Sequence, residues 1–223
     1  MNEKKYLILD MGYVLVAPKT GNWLVTPTLL KNVDVNKIDV KNASKVMSEF
    51  AYILDEKVET LEEEKSAMIR FYNEVFKKIN YSISADKIEE IVNDFVFNLS
   101  DSKYYMYDDV KEELERLSKK YKILMLSDNW PCAFDYLKKH DIYKYFDKVY
   151  ISSIYGKRKR DKVLFDYPIK EYDIKPGEAY FVDDKEKLLD IAVDKSLDVM
   201  LMDRSNSVKF SKYKVINSLS DID

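Results

Sequence analysis

Short runs of apolar residues alternate with longer amphipathic segments in the second half of the chain. The runs lie at residues 6–9, 123–126, 148–151, 179–182 and 199–202. From residue 104 onwards, segments with apolar residues at three- and four-residue spacing lie between them, at 108–120, 131–140, 162–171 and 185–195. Short apolar strands that alternate with helices form parallel sheets covered on both faces. The pattern predicts an α/β fold built on a doubly wound parallel sheet of five strands.

A segment of purely helical texture separates the first apolar run from the others. Pro and Gly punctuate residues 17–27, and from about residue 35 to Leu99 apolar residues recur at helical spacing. Thr60, with Glu63 three residues later, has the pattern of a helix N-cap with a capping box. Aromatic and methionine stripes in this segment favour the core of a small helical bundle over a cofactor site.

The change of texture predicts a domain organisation. Residues 1–16 and 104–223 are expected to form the α/β core. Residues 17–103 are expected to form a helical domain inserted after the first strand. A chain of 223 residues is long enough for one large core with such an insertion.

Composition narrows the possible partners and compartments. The chain is 46% hydrophobic and 35% charged with a net charge of −3, which describes a globular protein and gives no basic excess for binding nucleic acid. Its one cysteine, Cys132, excludes an internal disulfide and fits a reducing compartment. No apolar run is long enough for a signal peptide or an anchor, so we expect a cytoplasmic protein without a membrane partner.

Polar residues follow the five predicted strands at their carboxyl ends. They are Asp10, Ser127, Ser152, Asp183 and Asp203. Parallel strands bring these ends to one edge of the sheet, where ligands bind in folds of this type. Each residue alone has a plainer interpretation, such as a turn or a helix cap.

Three carboxylates and a basic loop in this order indicate phosphoryl-transfer chemistry. Asp10, Asp183 and Asp184 are expected to converge, and carboxylates that repel one another favour a hard divalent cation, most simply Mg²⁺. The segment 156–160, which reads Gly-Lys-Arg-Lys-Arg, brings positive charge near the same edge. A cation, a lysine and a hydroxyl can offset the charge of a phosphoryl group while a carboxylate attacks it.

The order and spacing of these residues resemble the haloacid dehalogenase-like hydrolase superfamily, in its phosphatase-like branch with a helical cap after the first motif. The resemblance implies a Rossmann-like core and rests on four ordered motifs. They are Leu9-Asp10-Met11-Gly12-Tyr13-Val14-Leu15, Leu126-Ser127-Asp128-Asn129, Gly156-x-x-Lys159-Arg160-Asp161-x-x-Leu164-Phe165 and Phe181-Val182-Asp183-Asp184. Residues 17–103 carry no comparable match.

The resemblance implies a role for each motif in a Mg²⁺-dependent phosphatase acting on a small phosphorylated metabolite, a sugar phosphate being one candidate. Asp10 would be the nucleophile, with Ser127 and Lys159 as the other catalytic residues. The implied phosphate-binding residues are Met11, Gly12, Ser127, Asp128 and Lys159. The implied metal ligands are Asp10, the Gly12 carbonyl, Asp183 and Asp184.

Gly12 departs from the family pattern, which has a second aspartate there as general acid and base. Loss of that role typically costs about 10²–10⁴-fold in rate. A family branch with Asp-x-Gly in its first motif includes sugar-1-phosphate phosphatases, whose anomeric leaving oxygen needs less protonation. Two alternatives stay open: a catalytically silent protein that binds a phosphorylated ligand or a protein partner, and a metal-free dehalogenase, against which the acidic pair argues.

Three residues outside the motifs also have two interpretations. Trp23 and Trp130 are interpreted as packing residues, with the mouth of the site as the alternative. Cys132 is interpreted as a small buried side chain rather than as a stabilised thiolate.

Overall fold

A six-stranded parallel sheet forms the centre of the protein in the computed structural model, which describes residues 3–97 and 103–223. The strands of the described residues are β1 (Tyr6–Leu9), β2 (Val16–Pro18), β3 (Tyr104–Met106), β4 (Lys122–Ser127), β5 (Phe146–Ile151), β6 (Ala179–Asp183), β7 (Asp198–Met202) and β8 (Lys214–Ile216). Two of them, β2 and β3, form a separate two-stranded sheet. The order in the large sheet is β5-β4-β1-β6-β7-β8, and all neighbours are parallel. β1 therefore lies at the centre, between β4 and β6.

Helices connect these strands and fill the long segment between β2 and β3. They are α1 (Pro27–Asn32), α2 (Val40–Glu49), α3 (Leu61–Lys78), α4 (Ala85–Phe97), α5 (Val110–Ser118), α6 (Cys132–Lys139), α7 (Ser152–Tyr155), α8 (Asp166–Glu171) and α9 (Glu186–Asp194). Short 3-10 turns lie among them, including Ala51–Asp55 and Lys159–Asp161.

The predicted α/β class and the five predicted parallel strands are confirmed. β8 was not predicted, because two of its three residues are exposed at the edge of the sheet and leave no apolar run. The predicted start of one helix at Lys162 is wrong. Lys162 has a φ of 59°, and a second 3-10 turn (Val163–Phe165) comes before α8 starts at Asp166.

The central strand packs apolar side chains on both faces, as its uninterrupted apolar sequence predicts. Leu7 and Leu9 join the cluster that α5 and α6 cover, and Ile8 joins the cluster that α9 covers. All three side chains have no exposed surface. The sheet is therefore buried from both sides, and its carboxyl edge is left to carry polar residues.

The helices α1 to α4 enclose a third apolar cluster of their own, separate from the two that cover the sheet. The antiparallel pair β2–β3 lies at the base of this helical segment. Thr60 caps α3 and Glu63 completes the capping box, so that prediction is confirmed. Leu99, predicted as the end of the last apolar stripe, lies outside the described residues.

Among the helices of residues 3–97 and 103–223, none has both the length and the apolar content that a span through the hydrocarbon layer of a membrane requires. The longest of them, α3, carries three acidic residues in its first turn alone.

Candidate active site

Asp10 lies where the central strand β1 ends, at the carboxyl edge of the sheet. Its backbone N–H donates to the Val182 carbonyl at 3.0 Å, which carries the register of β1 against β6 one residue further. β6 ends at Asp183, and Asp184 follows. One carboxylate oxygen each of Asp10, Asp183 and Asp184 lies within 4.8 Å of the others. Sheet register alone therefore brings together three carboxylates that are 173 and 174 positions apart in sequence.

Lys159 holds two of these carboxylates. Its Nζ lies 2.9 Å from Asp10 Oδ1 and 2.5 Å from Asp183 Oδ2, and the lysine is 1% exposed. The backbone N–H of Lys159 donates to Asp128 Oδ1 at 2.9 Å. The loop that carries the third motif is thereby tied to the loop that carries the second.

Burial and crowding shift the titration of this group. Burial raises the pKa of Asp183, and the charge of Asp10 raises it further while Lys159 opposes the change. Burial and then the charge of Asp10 raise the pKa of Asp184 as well. Burial acts to lower the pKa of Lys159, but the carboxylates of Asp10, Asp183 and Asp128 outweigh it and the pKa is raised. The raised pKa values of the two aspartates and of Lys159 are consistent with an excess of negative charge around one ammonium.

The carboxylate cluster fits a divalent cation. Asp184 Oδ1 is buried and accepts no hydrogen bond from any described residue, and Asp10 Oδ1 is buried with the ammonium of Lys159 as its ion-pair partner. Three ionised carboxylates around one lysine leave two negative charges without a cation. Mg²⁺ prefers oxygen ligands of this kind and usually retains several waters. The residues present therefore suit a hard divalent ion.

A cavity of about 210 Å³ opens above the cluster. Its polar lining residues include Asp10, Gly12, Ser127, Asp128, Lys159 and Asp184. Its aromatic lining residues are Tyr13, Trp23, Tyr104 and Trp130. Residues of all four motifs thus line one cavity together with four aromatic side chains.

Space rather than backbone conformation favours glycine at position 12. A Cβ atom on this residue would lie 3.2 Å from Trp23 Cζ2 and 3.4 Å from Cη2. The shorter of these contacts is tighter than ordinary van der Waals separation. A side chain at position 12 would therefore require the indole of Trp23 to shift by a few tenths of an ångström.

Met11 can reach a ligand only through its backbone. The side chain has no exposed surface, and its sulfur accepts from Asn129 Nδ2 at 3.3 Å. Asn129 in turn accepts from the Trp130 N–H through its side-chain oxygen at 2.9 Å. Met11 thus packs beneath the loop after β4 and helps to orient it.

Two of the five strand-end residues have structural roles instead. Ser152 Oγ accepts from the Asn129 N–H at 3.1 Å and supports the loop after β4. Asp203 accepts from the Ser205 N–H at 3.2 Å and the Val208 N–H at 2.7 Å, which closes a turn after β7.

The tryptophans pack and line the cavity at once. Trp23 makes edge contacts with Tyr13 and Tyr104, and Trp130 packs against Phe95 of α4. Cys132 is 3% exposed and its pKa is raised by burial, in line with a small buried side chain.

A comparison with known families adds to this geometry. The profile of haloacid dehalogenase-like hydrolases matches residues 32–201, about three quarters of the chain. The chain belongs to this family. No curated protein sequence matches it.

Solved structures of this family share the fold at low sequence identity. The HAD-hydrolase YfnB from Bacillus subtilis, bound to magnesium, has a TM-score of 0.70 at 11% identity, covering 99% of this chain and 97% of its own. The HAD family enzyme BT-2542 from Bacteroides thetaiotaomicron, in a magnesium complex, has 0.66 at 18%, covering 93% and 98%. A 2-haloacid dehalogenase from Pseudomonas syringae has 0.66 at 14%, covering 98% and 96%. Phosphatases and dehalogenases are not separated by likeness at this level.

Proposed function

We propose that the protein is a Mg²⁺-dependent phosphatase that hydrolyses a small phosphorylated metabolite, with Asp10 as the nucleophile. The observation that carries the proposal is the pairing of Lys159 with both Asp10 and Asp183, beside a third carboxylate, Asp184, whose buried Oδ1 accepts no hydrogen bond from the described residues. A haloacid needs no such excess of negative charge near its nucleophile. A phosphoryl group bound together with a divalent cation does.

Asp10 and Lys159 divide the work of the first step. A carboxylate oxygen of Asp10 attacks phosphorus, the new O–P bond forms, and the bond to the leaving oxygen breaks with its electron pair. The ammonium of Lys159, with the Ser127 hydroxyl, offsets the charge of the phosphoryl oxygens. A magnesium ion held by Asp10, the Gly12 carbonyl, Asp183 and Asp184 would supply further positive charge there. Water then cleaves the aspartyl-phosphate and restores Asp10.

Gly12 and Trp23 together suggest the kind of leaving group. Position 12 offers no acid, and the indole leaves no room for one without moving. A leaving oxygen of low basicity, such as the anomeric oxygen of a sugar 1-phosphate, departs with little protonation. The aromatic residues that line the cavity suit the apolar face of a sugar ring. We propose that residues 17–103 act as the cap that closes over this substrate and excludes water.

Phosphate release from a panel of sugar 1-phosphates, alkyl phosphates and nucleotides tests the proposal, with Mg²⁺ and with chelator. We expect turnover that needs Mg²⁺, prefers the anomeric esters and is lost in Asp10→Asn. Asp203→Asn is the matched control, because it alters a strand-end carboxylate outside the cluster. Chloroacetate as a further substrate, with chloride release as the readout, tests the alternative that the protein is a dehalogenase. If the protein binds phosphate but hydrolyses no ester, the result would contradict the proposed phosphatase and favour the catalytically silent, ligand-binding alternative.

A further inference from the structure

A strap formed by residues 54–58 lies across the loop that carries Lys159. It belongs to the helical segment and comprises the end of the 3-10 turn Ala51–Asp55 and the residues that follow it toward α3. The Val58 N–H donates to the Ser153 carbonyl at 3.0 Å, and the Trp130 Nε1–H donates to the Leu54 carbonyl at 3.3 Å. These contacts join the helical segment to the α/β core beside the candidate active site.

Asp55 in this strap binds both sequence neighbours of Lys159. Asp55 Oδ1 accepts from Arg158 Nε at 2.7 Å, and Asp55 Oδ2 accepts from Arg160 at 2.6 Å. Arg158 also donates to the Leu54 carbonyl at 2.6 Å, and its guanidinium lies 5.4 Å from the ring centroid of Trp130. One carboxylate of the helical segment therefore anchors the residues on either side of the lysine.

The loop itself has little regular structure to hold Lys159 in place. It lies between two residues with positive φ, Gly156 and Lys162, both at 59°. Within it, the 3-10 turn Lys159–Asp161 is closed by two bonds, from the Asp161 N–H to the Arg158 carbonyl at 2.9 Å and from the Lys162 N–H to the Lys159 carbonyl at 3.1 Å. No α-helix or strand pairing fixes these residues. The backbone of Lys159 is therefore placed by this turn and by side-chain anchors, which are Asp128 at its own N–H and Asp55 at the arginines on either side.

Lys159 depends on that placement because its ammonium serves two carboxylates at once. A small displacement of its Cα would lengthen the contact with Asp10, with Asp183 or with both. Misplacement of a catalytic group by about 1 Å can cost about 10²-fold in rate. We infer that Asp55 is a positioning residue for Lys159, which makes the placement of the catalytic lysine depend on the docking of the strap. The catalytic part of this inference rests on the proposed phosphatase activity.

The two ion pairs of Asp55 differ in exposure. The Asp55 side chain is 34% exposed, that of Arg160 is 66% exposed and that of Arg158 is 15% exposed. The exposed pair contributes little to the free energy of unfolding, and without Asp55 the guanidinium of Arg158 keeps its bond to the Leu54 carbonyl. Loss of Asp55 should therefore change the position of the loop more than the stability of the fold, and the two effects can be measured separately.

The neighbouring Glu56 offers a matched control. It pairs with Arg70 of α3 at 2.5 Å, inside the helical segment, and is exposed to a similar degree. Glu56→Gln therefore removes an adjacent ion pair of the strap without touching the loop. Asp55→Asn removes the charge and one of the two acceptor oxygens, and Asp55→Glu keeps the charge and both oxygens.

The first measurement is kcat and KM for the best ester of the panel. We expect Asp55→Asn to lower kcat about tenfold with little change in KM, since the loss falls on the transition state. Asp55→Glu should retain most of kcat, and Glu56→Gln should match the wild type. Equal kcat in Asp55→Asn and Glu56→Gln, or an effect on KM alone, would overturn the inference.

The second measurement is amide hydrogen exchange in residues 156–162, which needs no activity. We expect faster exchange in Asp55→Asn than in Glu56→Gln, at an unchanged free energy of global unfolding. If the wild type hydrolyses no ester, faster exchange still supports the anchoring and only the phosphatase proposal fails. Equal exchange in the two variants would overturn the anchoring itself.

Discussion

Lys159 and Lys103 are both buried lysines, but one faces carboxylates and a cavity while the other faces aromatic rings. Lys159 pairs directly with Asp10 and Asp183. The Lys103 Nζ lies 3.5 Å from the ring centroid of Phe95 and 4.7 Å from that of Tyr104. It donates to the Phe95 carbonyl and to Cys132 Sγ, both at 3.3 Å.

The two lysines lie at different junctions of the chain. Lys159 is at the carboxyl edge of the sheet, open to the cavity. Lys103 lies between the end of the helical segment and β3, where Glu64 of α3 accepts from the Cys132 N–H at 2.8 Å. That carboxylate sits at the N-terminus of α6, where the helix dipole favours negative charge. Of the two lysines, Lys159 is the one whose carboxylate partner Asp10 also lines a cavity that a substrate could enter.

The largest expected contrast is in catalysis. Lys159→Met should lower kcat/KM about 10²–10³-fold, since it removes a preorganised donor to the transition state. Lys103→Met should leave kcat/KM close to the wild-type value, because Lys103 does not line the cavity. Phosphate release under saturating Mg²⁺ measures both. Similar losses in the two variants would end the distinction between a catalytic and a structural lysine.

The site around Lys159 could be predicted from the sequence, whereas the surroundings of Lys103 could not. Asp10, Ser127, Lys159 and the acidic pair follow short apolar strands, and parallel pairing then brings strand ends together whatever lies between them. The order of these residues is a local signal repeated at each strand. The sheet and the chemistry-bearing side of the cavity could therefore be predicted.

Contacts made between distant segments left no such signal. Asp55 pairs with arginines more than 100 positions away. Trp23 was interpreted as a packing residue, with the mouth of the site as the alternative, and its close contact with position 12 was not predicted. Lys103 reads as an ordinary charged residue in a linker. Such roles depend on the packing of the helical segment against the core, which periodicity does not specify.

A smaller contrast is expected in stability, and it concerns the two buried charges of Lys103 and Glu64. Lys103→Met leaves Glu64 buried without its nearby cation, which should lower the free energy of unfolding by about 3 kcal/mol. The double variant Lys103→Met/Glu64→Gln removes both charges and should recover to within about 1 kcal/mol of the wild type. Urea denaturation of the two single variants and the double variant gives the coupling. Strictly additive losses would mean that the two charges do not stabilise each other.

The smallest expected effect is a pH dependence of the free energy of unfolding that is caused by Glu64. Burial raises the pKa of Glu64, while the charge of Lys103 opposes the rise and that of Asp135 adds to it. An acid with a raised folded pKa holds its proton longer in the folded state, so its contribution to stability falls as pH rises from about 4.3, the unfolded pKa, to the folded pKa. The free energy of unfolding of the wild type should therefore fall relative to that of Glu64→Gln over this pH window. The fall should be about 1.4 kcal/mol for each pH unit that separates the two pKa values. Above the folded pKa the difference should stay constant. Urea denaturation of both proteins between pH 4 and pH 8 measures the difference. A difference that grows in the opposite direction would mean that Lys103 outweighs burial at Glu64, in contrast to Asp183, where burial outweighs the charge of Lys159.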